Sequence, residues 1–254
     1  MAAIAQCGVW VVKPASKSGV ALSEVSVRPT RDAAERAEWD RLMDAHHYLG
    51  FRCLFGGGLR HVAEAAGGRW VALVGWAPGA FKVKARDAWI GWAPEQQFRR
   101  LHLVANNTRF LILPGFNGGN LASRVLSLSL RRLSADMRAA RGHPVLLAET
   151  FVDPSRFEGT CYLASNWTML GETRGYARDG GGWTAHGSPK RVFARALSAD
   201  GRAALSGLDE PASWGAGRGR PEPPAARMTV RPQREDPGFF VGLERRIQVL
   251  EPVP

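Results

Sequence analysis

Cysteine is scarce: Cys7, Cys53 and Cys161 are the only three in 254 residues, and no two form a Cys-x-x-Cys pair. That spacing argues against both a zinc ribbon and a disulfide framework. No apolar run reaches the roughly eighteen residues of a membrane span, and Met1 to Trp10 lack the basic start and long apolar stretch of a secretory leader. The expectation is a cytoplasmic protein with no membrane partner. A Walker loop, a Gly-x-Ser-x-Gly elbow and an Asp/Glu-x-Lys nuclease pattern are also missing. His46 and His47 are adjacent, so on a helix they point about 100° apart, and no third ligand stands at a useful spacing. No metal site is expected.

What is present is an ordinary apolar content of 45% and a marked positive charge, +11. Such a charge suits an acidic partner, either nucleic acid or a phosphate-rich cofactor. Between residues 81 and 141 eleven Lys/Arg face three acidic residues, a net of +8. Lys82, Lys84, Arg86, Arg124, Arg131 and Arg138 are the candidates for contact with DNA or RNA, and the last three recur every seven residues along one helical stripe. A solvated basic surface is the alternative reading of the same pattern.

The hydropathy pattern divides the chain into three parts. Residues 1–22 read as a poorly ordered lead-in, 23–200 as one folded domain, and 201–254 as a Pro/Gly/Arg-rich tail that cannot bury enough apolar surface to order itself. Within the domain, Val25 to Pro29 alternates as a strand, and Asp32 can cap a helix carrying Trp39, Leu42 and Met43. Leu59 to Trp76 reads as a hairpin turning at Gly67-Gly68. Ala88 to Trp92 reads as a short strand or aromatic turn, and Leu101–Ala105 and Arg109–Leu113 as strand-like, with Asn106-Asn-Thr108 as either a bulge or a turn between them. Asn120 to Arg141 is the strongest helix, with Ala122, Leu126, Leu130, Leu133 and Met137 on one face. Pro144 to Val152 is a buried strand, followed by a short helix with Phe157, Cys161 and Tyr162, then a last strand at Arg191 to Arg195.

The stretch Arg109-Phe-Leu-Ile-Leu-Pro-Gly-Phe-Asn-Gly-Gly-Asn-Leu-Ala-Ser123 is the most informative motif, because it runs a strand through a Gly/Asn turn directly into that long helix. The first amides of a helix have no internal partner and sit at the positive end of its dipole, so Asn117, Gly118, Gly119, Asn120, Leu121, Ala122 and Ser123 are candidates for holding a phosphate. A plain tight connection is the alternative.

This α/β (α+β) order, antiparallel strands first and a strand-helix-strand unit late, resembles the GNAT acyltransferase fold: a mixed, mainly antiparallel central sheet flanked by helices. In that family a turn of the form Gln/Arg-x-x-Gly-x-Gly/Ala binds the pyrophosphate of acyl-coenzyme A. Here the frame is Asn117-Gly-Gly-Asn120-Leu-Ala122, matching at Ala122 and carrying Asn at the first position and at the first glycine. The family also places a helical Tyr four residues before a Gly-Phe pair, where this chain has Tyr162-Leu-Ala-Ser-Asn166-Trp167. The resemblance implies acyl-coenzyme A as cofactor and Tyr162 as the acid that protonates the departing thiolate. Longer matches, Trp70–Trp76, Lys84–Trp92, Leu103–Leu113, Asn120–Leu126 and Glu149–Asp153 through Gly159–Tyr162, resemble the DruA family of Druantia anti-phage systems. That likeness implies a defence or mobile-element setting, with other defence proteins such as a helicase as partners.

Polar residues near the centre of such a sheet complete the candidate list: Asp87, Asn106, Asn107, Arg109 and Asp153 as pocket residues, Thr150 beside them at the end of the next strand, and Glu149 as a general base opposite Tyr162. Glu149 paired with Arg86 or Arg109 as a buried structural ion pair is the alternative. Three functions follow: acyl transfer at the glycine turn, a non-catalytic module that binds DNA or RNA through its basic face, or a structural adaptor that recruits a helicase partner.

Overall fold

A computed structural model describes residues 20–116, 118–179, 182–185 and 188–207. Its elements in chain order are β1 (Ser26–Pro29), α1 (Ala33–His46), β2 (Leu59–Ala65), β3 (Arg69–Pro78), α2 (Lys84–Ile90), α3 (Pro94–Arg100), β4 (Val104–Ile112), α4 (Leu121–Arg141), β5 (Leu147–Val152), α5 (Thr160–Leu163), β6 (Thr168–Glu172), β7 (Tyr176–Asp179), β8 (Gly182–Ala185), β9 (Arg191–Ala196) and α6 (Gly201–Ser206). Seven strands form one sheet in the order β1-β2-β3-β4-β5-β9-β6, and β7-β8 is a separate hairpin. Every neighbouring pair in the sheet is antiparallel except β4 and β5, which run parallel. Antiparallel strands first and a β4-α4-β5 unit late is the mixed α/β architecture that the GNAT resemblance implies.

Local chemistry accounts for the elements. The Asp32 carboxylate accepts the Glu35 amide and starts α1. Gly142, left-handed at φ 79°, stops α4. The alternation along the strands then sorts the core onto two sides. Ala63, Ala72, Val74, Ala105, Ala148 and Phe193 face α4 and α5, whereas Val62 and Leu73 face α1, and Val104, Leu147 and Ala194 pack with Ile90 of α2. The sheet is thus covered on both faces, with α4 and α5 opposite α1 and α2.

Two local expectations change and one open alternative is resolved. Lys84–Ile90 is a helix, ended by left-handed Gly91, where a strand or aromatic turn was expected at Ala88–Trp92. Leu101–Leu103 is a 3-10 turn, and β4 begins only at Val104. Gly75 pairs with Arg109 and Trp76 with Asn107, which leaves Thr108 as the extra residue of a bulge inside one long strand. The boundary expected at 200 falls just before α6, whose carbonyls at Ala204 and Leu205 accept the Arg100 guanidinium. The leading residues 1–19, Asn117 and the tail from 208 lie outside the described residues.

Candidate active site

Parallel pairing between β4 and β5 runs from Val104/Leu147 to Asn107/Thr150 and stops there, although β4 continues to Ile112 and β5 to Val152. The strands part because the Thr108 bulge bends β4 at that point. Asn107 fastens the bend. Its amide nitrogen donates to the carbonyls of Gly75 and Arg109, each at 3.0 Å, across and along the bulge. Thr150 closes the vertex from the other strand, its hydroxyl donating to the Asn107 carbonyl at 2.9 Å.

A cavity of about 450 Å³ fills the gap. It is lined by Phe110 and Ile112 of β4, by Thr150 to Asp153, by Gly159 to Tyr162, and by His46 to Leu49 at the end of α1. Because α1 and α5 lie on opposite faces of the sheet, the hollow is walled from both sides. Tyr162 stands at its inner end, buried against Trp167 and Phe193. Its hydroxyl donates to Asn107 Oδ1 at 2.8 Å and lies 3.5 Å from the Thr150 hydroxyl. Burial raises the phenol well above its ordinary range, so it keeps its proton at neutral pH.

The other titratable groups of the lining are set by their neighbours. Burial, aided by Arg109, holds the His47 imidazole at about 4, so the ring is neutral at pH 7. His47 Nδ1 accepts the Leu49 amide at 3.2 Å, which places the proton of the neutral ring on Nε2. Lys190 and Ser155 bond Asp153 and hold it at about 2. Burial pushes the Cys161 thiol up.

Glu149 requires a correction. It is fully buried on the face that carries Leu147, opposite the face of Thr150 and Tyr162, and it does not line the cavity. Its carboxylate is taken by Arg86 at 2.8 Å and by the Ala80 amide at 2.5 Å, although burial still raises its affinity for a proton. Glu149 is therefore half of a buried ion pair and does not share a site with the phenol. Arg86 is corrected with it: the guanidinium is fully buried and also bonds Asp87 and the carbonyls of Ala80 and Phe81, so it cannot reach a nucleic acid. Asp87 completes that network by accepting the Trp92 indole at 3.1 Å. Asn106 points to the same face, buried, with neither end of its side-chain amide hydrogen-bonded.

The remaining candidates are dispersed. Asn107 and Asp153 line the cavity, and Arg109 donates to the Gly50 carbonyl near its α1 rim. Lys82 and Lys84 are exposed beside α2, whereas Arg124, Arg131 and Arg138 ride on α4 across the sheet, so the basic stretch is not one face. Arg124 is part-buried and donates to the Leu22 carbonyl.

The glycine turn follows β4 at the open end of the gap and does not itself line the cavity. Asn120 is left-handed at φ 65°, and Asn166, at the position matched to a family glycine, is left-handed at φ 61°; they are the two such non-glycine residues among those described. The Leu121 amide is used by the Gly118 carbonyl, while the amides of Ala122 and Ser123 have no acceptor among the described residues. A Cβ on Gly119 would meet nothing within 4 Å. The space above the turn is open and its donors suit an anion.

Sequence reasoning placed Thr150 among the central polar candidates without its role as the vertex clasp, and missed His47, Tyr48, Phe157 and Lys190 as lining. The position of Thr150 opposite Asn107 depends on strand register, which hydropathy does not specify for a parallel pair. Among the described residues no helix is long and apolar enough to cross a membrane, and no group of three or more His, Cys, Asp or Glu could hold a metal ion.

The family model described as Druantia protein DruA matches residues 15–179. Among curated proteins none matches. Among solved structures, spermidine N-acetyltransferase from Vibrio cholerae in complex with CoA and spermine is similar with a TM-score of 0.45 and 10% identity, over 69% of this chain and 96% of that one. A chimera of that SpeG enzyme with hSSAT is similar with the same TM-score and identity, over 68% and 96%.

Proposed function

The chain belongs to the Druantia protein DruA family, and on that premise we propose that its core transfers an acyl group within a defence or mobile-element setting. One observation carries the reading: the parted β4 and β5 enclose a hollow with a buried, proton-bearing phenol at the vertex. Acyl-coenzyme A, when bound, supplies an activated thioester carbonyl. The amides of Ala122 and Ser123, which have no acceptor among the described residues, with the open space over Gly119, are the groups that would hold its phosphates.

The chain's own residues then divide the work. Tyr162 holds at its hydroxyl oxygen the proton that lies on Asn107 Oδ1, and that proton turns from Asn107 to reach a leaving thiolate. Phe110, Ile112 and Cys161 exclude water from the depth of the hollow. With Glu149 on the other face and Asp153 tied to Lys190, no carboxylate in the depth is placed as a base, so the acceptor loses its proton to solvent at the open rim.

The test is calorimetric titration with acetyl-coenzyme A, followed by thiol release with added acceptors. Saturable binding that Gly119→Val abolishes is expected. Absence of binding by the folded wild-type protein would sink the reading.

A second reading, nucleic-acid binding, draws on Arg131 and Arg195, which lie close enough on the α4 face to repel one another and have no carboxylate partner among the described residues. Salt-dependent binding of duplex DNA that Arg131→Ala weakens and Tyr162→Phe leaves alone would favour it.

A further inference from the structure

The rim of the cavity on the α1 side differs from its depth. Tyr48, Leu49 and Phe157 line it at 43%, 43% and 50% exposure, three large apolar side chains left open around one hollow. Such a cluster marks a surface that something covers. The Tyr48 and Phe157 rings lie 5.3 Å apart at 60° and bridge the end of α1 to the loop after β5. Charge surrounds them. The Arg156 guanidinium sits 5.1 Å from the Tyr48 ring centre and has no carboxylate partner among the described residues. Arg109 acts electrostatically on both His47 and Tyr48. Of the two carboxylates in the lining, Asp153 is already spent on Lys190, which leaves Glu158.

We infer that this rim binds a nucleoside phosphate as the acceptor, its base laid against Tyr48 and Phe157 and its phosphate drawn by Arg156 and Arg109, so that a ribose hydroxyl forms the new ester C–O bond as the thioester C–S bond breaks, the hydroxyl proton passing to solvent and the thiol leaving. Half-exposed aromatic rings with an adjacent guanidinium are the pairing that stacks a base and holds its phosphate; the Tyr48 ring already packs against His47 at 4.7 Å and under Arg156, which leaves Phe157 the more open of the two. A polyamine would meet net positive charge at the same place, and a plain hydrocarbon would leave the guanidinium without a partner. The inference rests on the acyl-transfer reading of this cleft, since it names the second substrate of the same hollow. It does not share that reading's donor site, which lies at the Gly118–Ser123 turn.

The test is titration of the full chain with AMP and, separately, with a 5′-phosphorylated hexauridylate, whose first nucleotide keeps a free 2′-hydroxyl, each alone and in saturating coenzyme A. Binding that persists with coenzyme A present is expected. Tyr48→Leu should weaken it about tenfold or more, the size of one stacked base, while Tyr48→Phe, which keeps the ring, should retain it. Arg156→Ala should weaken it and flatten its salt dependence. The mononucleotide binding alone would identify a free nucleotide, and the oligonucleotide binding alone the end of a strand; either result supports the assignment. Displacement of both probes by coenzyme A would show that they sit only in the donor site and would overturn it. So would binding that Tyr48→Leu leaves unchanged, or tighter binding of spermidine than of AMP. Acetyl-coenzyme A binding without nucleotide binding would remove the acceptor assignment and leave the transfer reading standing; the reverse result would remove the transfer reading and the acceptor role with it, and leave the nucleotide site.

Discussion

Tyr162 and Asn107 stand 55 residues apart in the chain and are joined by a hydrogen bond of 2.8 Å at the point where the sheet opens. The bond links the two halves of the site, because Asn107 is also the residue that fastens the β4 bulge through the carbonyls of Gly75 and Arg109. Replacing either partner therefore has a different expected result. Tyr162→Phe keeps the ring against Trp167 and Phe193 and removes one hydrogen bond, so it should cost about 1 kcal/mol while lowering turnover by about 10²-fold or more. Asn107→Ala should cost about 2–4 kcal/mol, since it strands two carbonyls and the phenol in a buried place. Urea unfolding with thioester turnover on the same samples checks both.

The Arg86–Glu149 pair should behave as structure alone. Glu149→Ala leaves a buried guanidinium without its partner, and the expected loss is about 3–5 kcal/mol. Glu149→Gln, which keeps the shape and the Ala80 contact, should lose less. In both variants that remain folded, acetyl-coenzyme A binding should be unchanged. A folded Glu149→Gln with a shifted pH–rate profile would return Glu149 to the site.

Much of this fold was legible in the sequence, and the reasons are local. The α4 stripe of Leu126, Leu130, Leu133 and Met137 lies on the buried side, and the Gly67-Gly68 hairpin turns with both glycines at positive φ. Asn120 does adopt the left-handed backbone that lets it replace a glycine. What was not legible depends on which side of the sheet a residue faces. Glu149 and Thr150 are neighbours in the chain, yet strand alternation sends one to Arg86 and the other to Tyr162. A count of polar residues near the centre joins them; only the register separates them.

Two glycines near the site should respond in opposite ways. Gly159 is left-handed at φ 80°, and a Cβ there would stand 2.6 Å from the Phe193 ring, so Gly159→Ala should destabilise the fold strongly and displace α5 with Tyr162. Gly119→Ala meets open space and should leave the melting temperature within a few degrees while weakening acetyl-coenzyme A binding. Thermal unfolding with and without the ligand separates the two effects.

Stability should fall in two steps on acidification. Burial depresses His47, to about 4 from 6.5, and depresses the fully buried His61 as well. Between those values the unfolded chain takes up protons that the folded chain refuses, so stability rises with pH and is lost as pH falls from about 6.5 towards 4. A second loss belongs to the carboxylates. Against burial, bonds from His61 and Arg132 hold Asp136 at about 2, and Asp153 is held at about 2 by Lys190 and Ser155. Their stabilising effect is present above about 3.8 and disappears as pH falls through about 2. Glu149 works in the other direction, because its raised affinity for a proton makes the folded state gain on acidification. Urea midpoints measured at pH 7, 5 and 3 read these windows. His47→Gln should flatten the slope between pH 6.5 and 4 in part, with His61 supplying the remainder, and Asp136→Asn should reduce the loss below pH 4. A wild-type midpoint that stays constant from pH 7 to 4.5 would mean that neither imidazole is held neutral by burial.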